Sequence, residues 1–354
     1  MRTDPDSSPA AAPTRRIDDR LPGLGNVHPA LVHQWYPVGR SSELADDPLG
    51  VRLLGRDLVL ARLGAEEDQV VLTDDRCSHR HAPLRLGAVQ DGCLQCPYHG
   101  WRFDAALRCV ATPSMGDGTA IPRSAHLVPL AVVERDGVIW GSLGRPEGEP
   151  PSFPEHGLDG FDLVVSTPVR TTACAGRLVE NFLDVTHFPF LHRATFGADD
   201  AVEGGVGQIT DDGVGFRHEL HQPFLNREDP AVHSGERPLL QHRTLTYTWH
   251  PPFCAHLRIQ WHEAGITKAI LFLVRPEDDR TCHVVQLISR DDLGGDPAAV
   301  DRAREFEDAV FDEDRSMLEG SGERALPLDL RDEVHLRTDR PTVELRRRLA
   351  AMVG

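Results

Sequence analysis

The sequence reads Cys77-Ser78-His79-Arg80-His81-Ala82-Pro83-Leu84 and then, with sixteen residues between His79 and Cys96, Cys96-Pro97-Tyr98-His99-Gly100-Trp101. Each half offers one thiolate and one imidazole. Two cysteines on one iron and two histidines on the other describe a two-iron, two-sulfur cluster, and histidine ligation lifts its potential far above that of an all-cysteine cluster. Zinc is the competing metal. Structural zinc favours ligand pairs two to four residues apart, which the single residue between Cys77 and His79 fits poorly. Coincidence is the other reading. Pro83, Gly87, Pro97 and Gly100 around both pairs speak against it.

Working outward, short apolar runs flank these loops: Val51–Leu54, Leu58–Ala61 and Val70–Leu72. Their length and turn residues predict a small antiparallel β domain with the ligand loops at its tip. Ala131 to Trp140 predicts a hairpin turning at Asp136-Gly137, which closes the domain. Residues 1–26, rich in Pro, Ala, Ser, Asp and Arg, predict a disordered leader. The β domain then spans 27–145, a Pro/Gly/Glu-rich linker 146–154, and a second domain 155–354. That domain predicts strands over Val169–Cys174, Gly205–His218, Arg243–His250, His256–His262, Ala269–Val274 and Thr281–Ser289. It also predicts helices over Arg177 to about His187 and Asp301 to about Glu319, with a closing helix around Glu344–Leu349. The fold class is α+β, with a large antiparallel sheet flanked by helices in the second domain. The Arg346–Arg348 run reads as a solvated helix face.

Glu180 to His192 is the other dense stretch. Pro189 disfavours helix at Phe188, so the helix is expected to end near His187 and His192 to fold back toward it. Two histidines and a carboxylate form the facial triad of non-haem Fe(II) sites, with positions left open for O2. Several acids near the C-terminus compete for the third place. On a helix Phe306, Val310, Phe311, Met317 and Leu318 share one arc with Asp314 near its middle. Glu307 lies inside the arc, two turns earlier. Glu313 falls just outside it, and Glu305, Asp308, Asp312 and Glu319 lie opposite. A carboxylate inside an apolar stripe is costly unless paired or metal-bound, so Asp314 is favoured and Glu307 held in reserve. A salt bridge to an arginine is the alternative role for Asp314.

The net charge of −17 argues against nucleic acid or an anionic membrane as partner. Arg80, Arg85 and Arg102 are candidates for a local basic patch facing an acidic electron carrier, or are simply solvated. Apolar runs fall short of the ~20 residues of a membrane span. The start of the chain has no apolar signal segment. The seven cysteines show no disulfide framework, which predicts a cytoplasmic protein.

The two ligand loops, Asn181-x-x-Asp184-x-x-His187-x4-His192 and Phe311-Asp312-Glu313-Asp314-Arg315 together resemble a Rieske non-haem iron oxygenase α subunit of the dicamba and vanillate O-demethylase branch. The resemblance covers about Trp35 to the C-terminus. It implies a Rieske cluster on Cys77, His79, Cys96 and His99, with His81 outside the ligand set. It implies a mononuclear iron on His187, His192 and Asp314, and Asn181 facing the site. It implies that Asp184 bridges to a cluster histidine of a neighbouring subunit within a homotrimer. A ferredoxin or flavin-dependent reductase would supply electrons. O2 would then be used to hydroxylate, dihydroxylate or O/N-demethylate a small aromatic or cyclic organic substrate. The rival reading is a Rieske electron carrier or redox sensor whose second domain is not catalytic.

Overall fold

The structure, a computed structural model, describes residues 22–65, 68–115, 120–196, 205–226 and 230–354. Residues 1–21 of the expected leader lie outside the described residues. The end of that stretch is part of the fold. Leu24–Gly25 forms strand β1, which pairs antiparallel with Ala325 and Leu326, and Leu24 is buried. Asn26 is buried as well and accepts a hydrogen bond from the Ala175 N–H at 2.8 Å. The leader expectation is corrected there: an apolar leucine and a capping amide outweigh the surrounding composition.

The N-terminal domain carries β2 (Tyr36–Arg40), β3 (Leu49–Leu53), β4 (Arg56–Leu63), β5 (Gln69–Asp74), β6 (Ala88–Gln90), β7 (Cys93–Gln95), β8 (Arg102–Phe103), β9 (Cys109–Ala111), β10 (Ala131–Arg135) and β11 (Val138–Ser142). They form antiparallel sheets in the orders β3-β4-β5, β6-β7-β8-β9 and β10-β11-β2. Asp136 and Gly137 have φ of 51° and 76°, the doubly left-handed turn that a two-residue hairpin needs.

The segment 146–154 is laid along this domain. The Trp35 indole N–H donates to the Gly148 carbonyl at 3.0 Å, and the Phe153 N–H donates to Asp136 at 2.7 Å. Phe153 itself is buried beside Trp140.

The second domain follows as β12 (Asp162–Val165), β13 (Val169–Thr171), α1 (Ala175–Leu183), α2 (Phe188–Leu191), β14 (Gln208–Asp211), β15 (Phe216–Leu225), α3 (Pro230–His233), β16 (Leu240–His250), β17 (Cys254–Trp261), β18 (Ile266–Pro276), β19 (Cys282–Arg290), α4 (Pro297–Ser321), β20 (Ala325–Leu326) and α5 (Arg340–Val353). One eight-stranded antiparallel sheet runs β12-β19-β18-β17-β16-β15-β14, with β13 also on β19. The single strand expected over Gly205–His218 is two, split where Asp212 accepts from the Val214 and Gly215 N–H groups.

The sheet has two different faces, as the period of two requires. Ala269, Leu271 and Leu273 of β18 and Val285 and Leu287 of β19 pack with Val138, Trp140 and Phe153 of the N-terminal side. The alternate residues Lys268, Ile270 and Phe272 look the other way, toward α1 and α4. A shift of one residue would exchange the two sets, so burial on both sides locks the register.

Helix α1 carries its apolar residues Leu178, Val179 and Leu183 inward. Its Gly176 allows close packing, since a Cβ there would lie 2.8 Å from the Leu326 Cβ. Helix α4 begins at its Asp296 cap and Pro297 and stops at Gly322, whose φ is 69°.

Of the arginine run on α5, Arg347 is exposed, but Arg346 and Arg348 do not form a solvated face. Arg346 is 2 % exposed and binds Glu180 at 2.5 Å and Glu333 more closely still. Arg177 joins the same two carboxylates. Arg348 reaches Glu344 and Asp211 at 2.8 and 2.7 Å.

Candidate metal centres

The two Cys/His loops share one construction. The Cys77 N–H donates to the Ala82 carbonyl at 2.9 Å, and the His81 N–H donates back to the Cys77 carbonyl at 2.9 Å. In the second loop the Cys96 N–H donates to Trp101 at 2.8 Å, and the Gly100 N–H donates to Cys96 at 3.1 Å. His81 and Gly100 occupy the same left-handed position, with φ of 55° and 69°. His81 therefore serves the shape of its loop; its ring meets Arg76 at 2.9 Å.

Each loop presents its cysteine to the other. Cys77 and Cys96 are each 1 % exposed. Burial pushes the Cys77 thiol up to about 11, and the neighbouring Cys96 adds to the rise. The His79 and His99 rings lie 4.5 Å apart, and the Trp101 indole stacks on His79 at 4.5 Å and 2°. Nδ1 of His79 is shielded from solvent and has no hydrogen-bond partner. Two adjoining thiols and two adjoining imidazoles, one with an orphaned nitrogen, fit a two-iron, two-sulfur cluster. His99 and Tyr98 are exposed at the tip. Of the expected basic patch, Arg85 is bound to Asp75 and Arg102 to Asp91, while Arg80 has no ion pair among the described residues.

The second centre forms where α1 ends. The helix stops at Leu183, earlier than the expected His187, and Asp184 is its extended C-cap with ψ 131°. Asp184 Oδ1 accepts from the Thr186 N–H and hydroxyl at 2.8 and 2.7 Å, an Asx turn that redirects the chain. Pro189 does not forbid helix at Phe188; it sits in the first turn of α2, where a missing N–H costs nothing. This turn and short helix bring His192 back onto His187.

Nε2 of His187 and Nε2 of His192 are 3.2 Å apart. Asp314 Oδ1 lies 3.5 Å from the first and 3.3 Å from the second. It is buried without a hydrogen bond. Three cis ligands at about 2.1 Å from an ion would stand about 3 Å from one another, so the set fits one metal. The far nitrogens are held by carboxylates. Nδ1 of His187 meets Asp184 Oδ2 at 3.3 Å, and Nδ1 of His192 meets Glu313 Oε2 at 2.8 Å. A carboxylate only accepts, so each keeps its Nδ1 protonated and turns Nε2 toward Asp314.

Burial works against charge on His187, but the Asp184 and Asp314 carboxylates outweigh it and hold the imidazole up at about 9. Burial likewise opposes ionisation of Asp314, yet His187, His192 and Asn181 draw its carboxyl down to about 2. The Asp314 carboxylate is thus held ionised and faces inward, the charge that a cation there needs.

Glu307, the reserve carboxylate, is a closed ion pair with Lys268, both under 10 % exposed. Met317, expected on the inner arc of α4, is 60 % exposed. Asp308 and Glu319 lie outside the centre, binding Thr167 and Thr171. Glu313 and Thr195 are residues that sequence reasoning missed. Thr195 also bonds Glu313, at 2.9 Å. Only the edge position of Glu313 on α4 hinted at it, and nothing tied it to His192, 121 residues away.

A cavity of about 350 Å³ opens from this centre between α1, α4 and the inner face of the sheet. That volume suits one small ring compound. Phe182 stacks on Phe272 at 4.6 Å, and Phe272 faces Phe311 at 6.0 Å, forming an aromatic wall. Asn181 lines the cavity, and its amide helps to draw the Asp314 carboxyl down.

Residues 34–130 match the Rieske [2Fe-2S] domain, and residues 171–354 match the vanillate O-demethylase oxygenase C-terminal domain. Methylxanthine N1-demethylase NdmA of Pseudomonas putida is 31% identical over 325 residues, covering 90% of this chain and 88% of that protein. Dicamba O-demethylase of Stenotrophomonas maltophilia is 37% identical over 174 residues, covering 47% and 48% of the two chains. The solved structure of NdmA with caffeine matches with a TM-score of 0.77 at 28% identity, over 90% of this chain and 89% of that one. Dicamba monooxygenase bound to dicamba matches with 0.73 at 26%, over 91% and 97%.

A Rieske domain followed by an oxygenase domain defines the class: an oxygenase component, and therefore an enzyme. The chain belongs to the Rieske oxygenases with a vanillate O-demethylase-type C-terminal domain. The electron-carrier reading is set aside, because the second domain matches a catalytic one. Among the described residues no helix is long and apolar enough to cross a membrane, and all seven cysteines are free thiols.

Proposed function

We propose that this chain is a terminal oxygenase that holds a mononuclear Fe(II) on His187, His192 and Asp314. With O2 it hydroxylates, or O- or N-demethylates, a small aromatic or cyclic organic molecule. The observation that carries the reading is the meeting of two imidazole nitrogens and one orphaned carboxylate oxygen at the end of a largely apolar cavity. Relatives that are N- and O-demethylases by name support the reaction class.

Iron on this triad would supply oxygen activation, drawing electrons from the Rieske cluster. The chain's own groups do the rest. Asp184 and Glu313 hold the two imidazoles by their Nδ1–H groups, and Asn181 steadies the Asp314 carboxylate. Phe182, Phe272 and Phe311 keep water from the reacting end and orient a flat substrate against their faces. In this division residues 27–145 receive electrons from a ferredoxin or flavin-dependent reductase, and residues 155–354 house the reaction. A cytoplasmic homotrimer in which Asp184 also reaches a neighbouring subunit's cluster histidine completes the proposal.

The test is iron analysis joined to a substrate screen with a surrogate reductase, following oxygen uptake and formaldehyde release. Near three irons per chain is expected. Near two, with an intact cluster spectrum, would sink the mononuclear site.

Cys96→Ser is expected to abolish the cluster and its reddish-brown colour while the second domain stays folded, because a serine hydroxyl is a poor ligand for this iron. Circular dichroism and EPR check it; an unchanged Rieske EPR signal would remove Cys96 from the ligand set.

Asp184→Asn is expected to keep both metals and a reducible cluster yet lose nearly all turnover. The amide oxygen preserves the turn through Thr186, but an amide N–H replaces the oxygen that accepts from His187. Single-turnover cluster reoxidation near the wild-type rate, with substrate present, would dispose of the role.

A further inference from the structure

The cavity contains one cation that no carboxylate neutralises among the described residues. Lys268 is taken by Glu307, and Arg290 by Asp292 at 2.7 Å. Arg243 on β16 is different. Its Nε and Nη2 lie 2.9 and 2.6 Å from the Gln222 side-chain oxygen, with that amide turned toward it. Its guanidinium carbon sits 4.7 Å from the centre of the Phe224 ring. Both partners are uncharged, in a chain with 55 acidic residues and a net charge of −17. Arg243 is half-buried; a charge withdrawn from water without a counter-ion is costly, and arginine's planar fork matches a carboxylate in two parallel hydrogen bonds. Gln222 occupies one edge of the fork, and no other hydrogen bond to the guanidinium is formed among the described residues.

We propose that Arg243 takes the carboxylate of the substrate, so that the molecule oxidised at the iron end of this cavity is a small aromatic or cyclic acid. The proposal deepens the functional reading above and rests on it for the identity of the ligand as substrate.

Strand geometry places the two ends. Arg243, Leu245 and Tyr247 are alternate residues of β16, and all three line the cavity. Burial raises the Tyr247 phenol, and the charges of Arg243 and then of Asp184 and Asp314 act on it, so it lies between the guanidinium and the metal end. Arg243 stands four residues away, roughly 13 Å of extended backbone. A ring between the apolar side chains of Leu245, Leu257 and Phe272 would present its carboxylate to one end and its reacting carbon to the other. Burial, with no carboxylate to oppose it, brings the Arg243 guanidinium down to about 10, so it stays charged at neutral pH.

The test is equilibrium binding by calorimetry to the purified holoprotein at fixed ionic strength. The probes are benzoate, 3-methoxybenzoate and 4-methoxybenzoate, each paired with its benzamide. Wild type is expected to bind at least one acid tenfold or more tightly than its amide. Arg243→Gln is expected to erase that preference while leaving the amide Kd within about twofold, and Arg243→Lys to reduce it by a smaller factor. No preference in wild type, or the full preference kept in either variant, overturns the proposal. The same titration on Asp314→Ala separates the two readings. The acid preference should survive there, whereas the oxygenase reading stands or falls on iron content.

Discussion

Asp314→Ala is expected to lose the mononuclear iron, about one third of the total, and to bring substrate-dependent oxygen uptake down to background, while the Rieske EPR and visible spectra stay unchanged. The triad would drop to two histidines, too few to hold a ferrous ion with open positions. The substitution also removes the carboxylate that pairs with His187 and His192. Iron per chain, read beside the cluster absorbance, checks the result. Glu307→Gln is the contrast. Its partner is Lys268, so it should keep all the iron and lose only stability. Iron lost on changing Glu307 but retained on changing Asp314 would reverse the assignment.

Arg346→Ala is expected to destabilise the second domain by about 3–5 kcal/mol, the usual cost of breaking a buried ion pair from one side. Arg346 is 2 % exposed and sits among Glu180, Glu333 and Arg177, where α1, α5 and the segment before α5 meet. Removing it leaves two carboxylates sharing Arg177. Urea unfolding followed by far-ultraviolet circular dichroism measures the loss; a change under 1 kcal/mol would show that Arg177 alone suffices. The penalty should also depend on pH. Burial opposes ionisation of Glu333, but Arg177 and Arg346 draw its carboxyl down to about 2, below the ~4.3 of an unfolded glutamate. A depressed carboxyl contributes stability above its unfolded pKa and loses it as pH falls toward the folded value. The gap between wild type and variant should therefore be widest above about pH 4.5 and narrow on acidification.

Two groups of candidate ligands were legible in the sequence. Ligand pairs closed within a few residues of one another, Cys77 with His79 and Cys96 with His99, are legible because local loop geometry brings them together. His187 and His192 were legible for the same reason. Asp314 could be chosen over its acidic neighbours because helical periodicity is a local rule, and the hairpin at Asp136-Gly137 because its turn chemistry is. Other features needed the tertiary structure. Where α1 stops depends on the Asx turn at Asp184, which the apolar pattern does not encode. That Glu313 holds His192 follows from contact across 121 residues. That Arg346 is buried rather than solvated depends on Glu180 and Glu333 arriving from two other segments. The face of each strand that lines the cavity, and with it the place of Arg243 in the cavity wall, depends on a register set by packing on both sides of the sheet. Spacing along the chain carries local geometry, whereas long-range pairing is decided only when buried surfaces compete for the same partners.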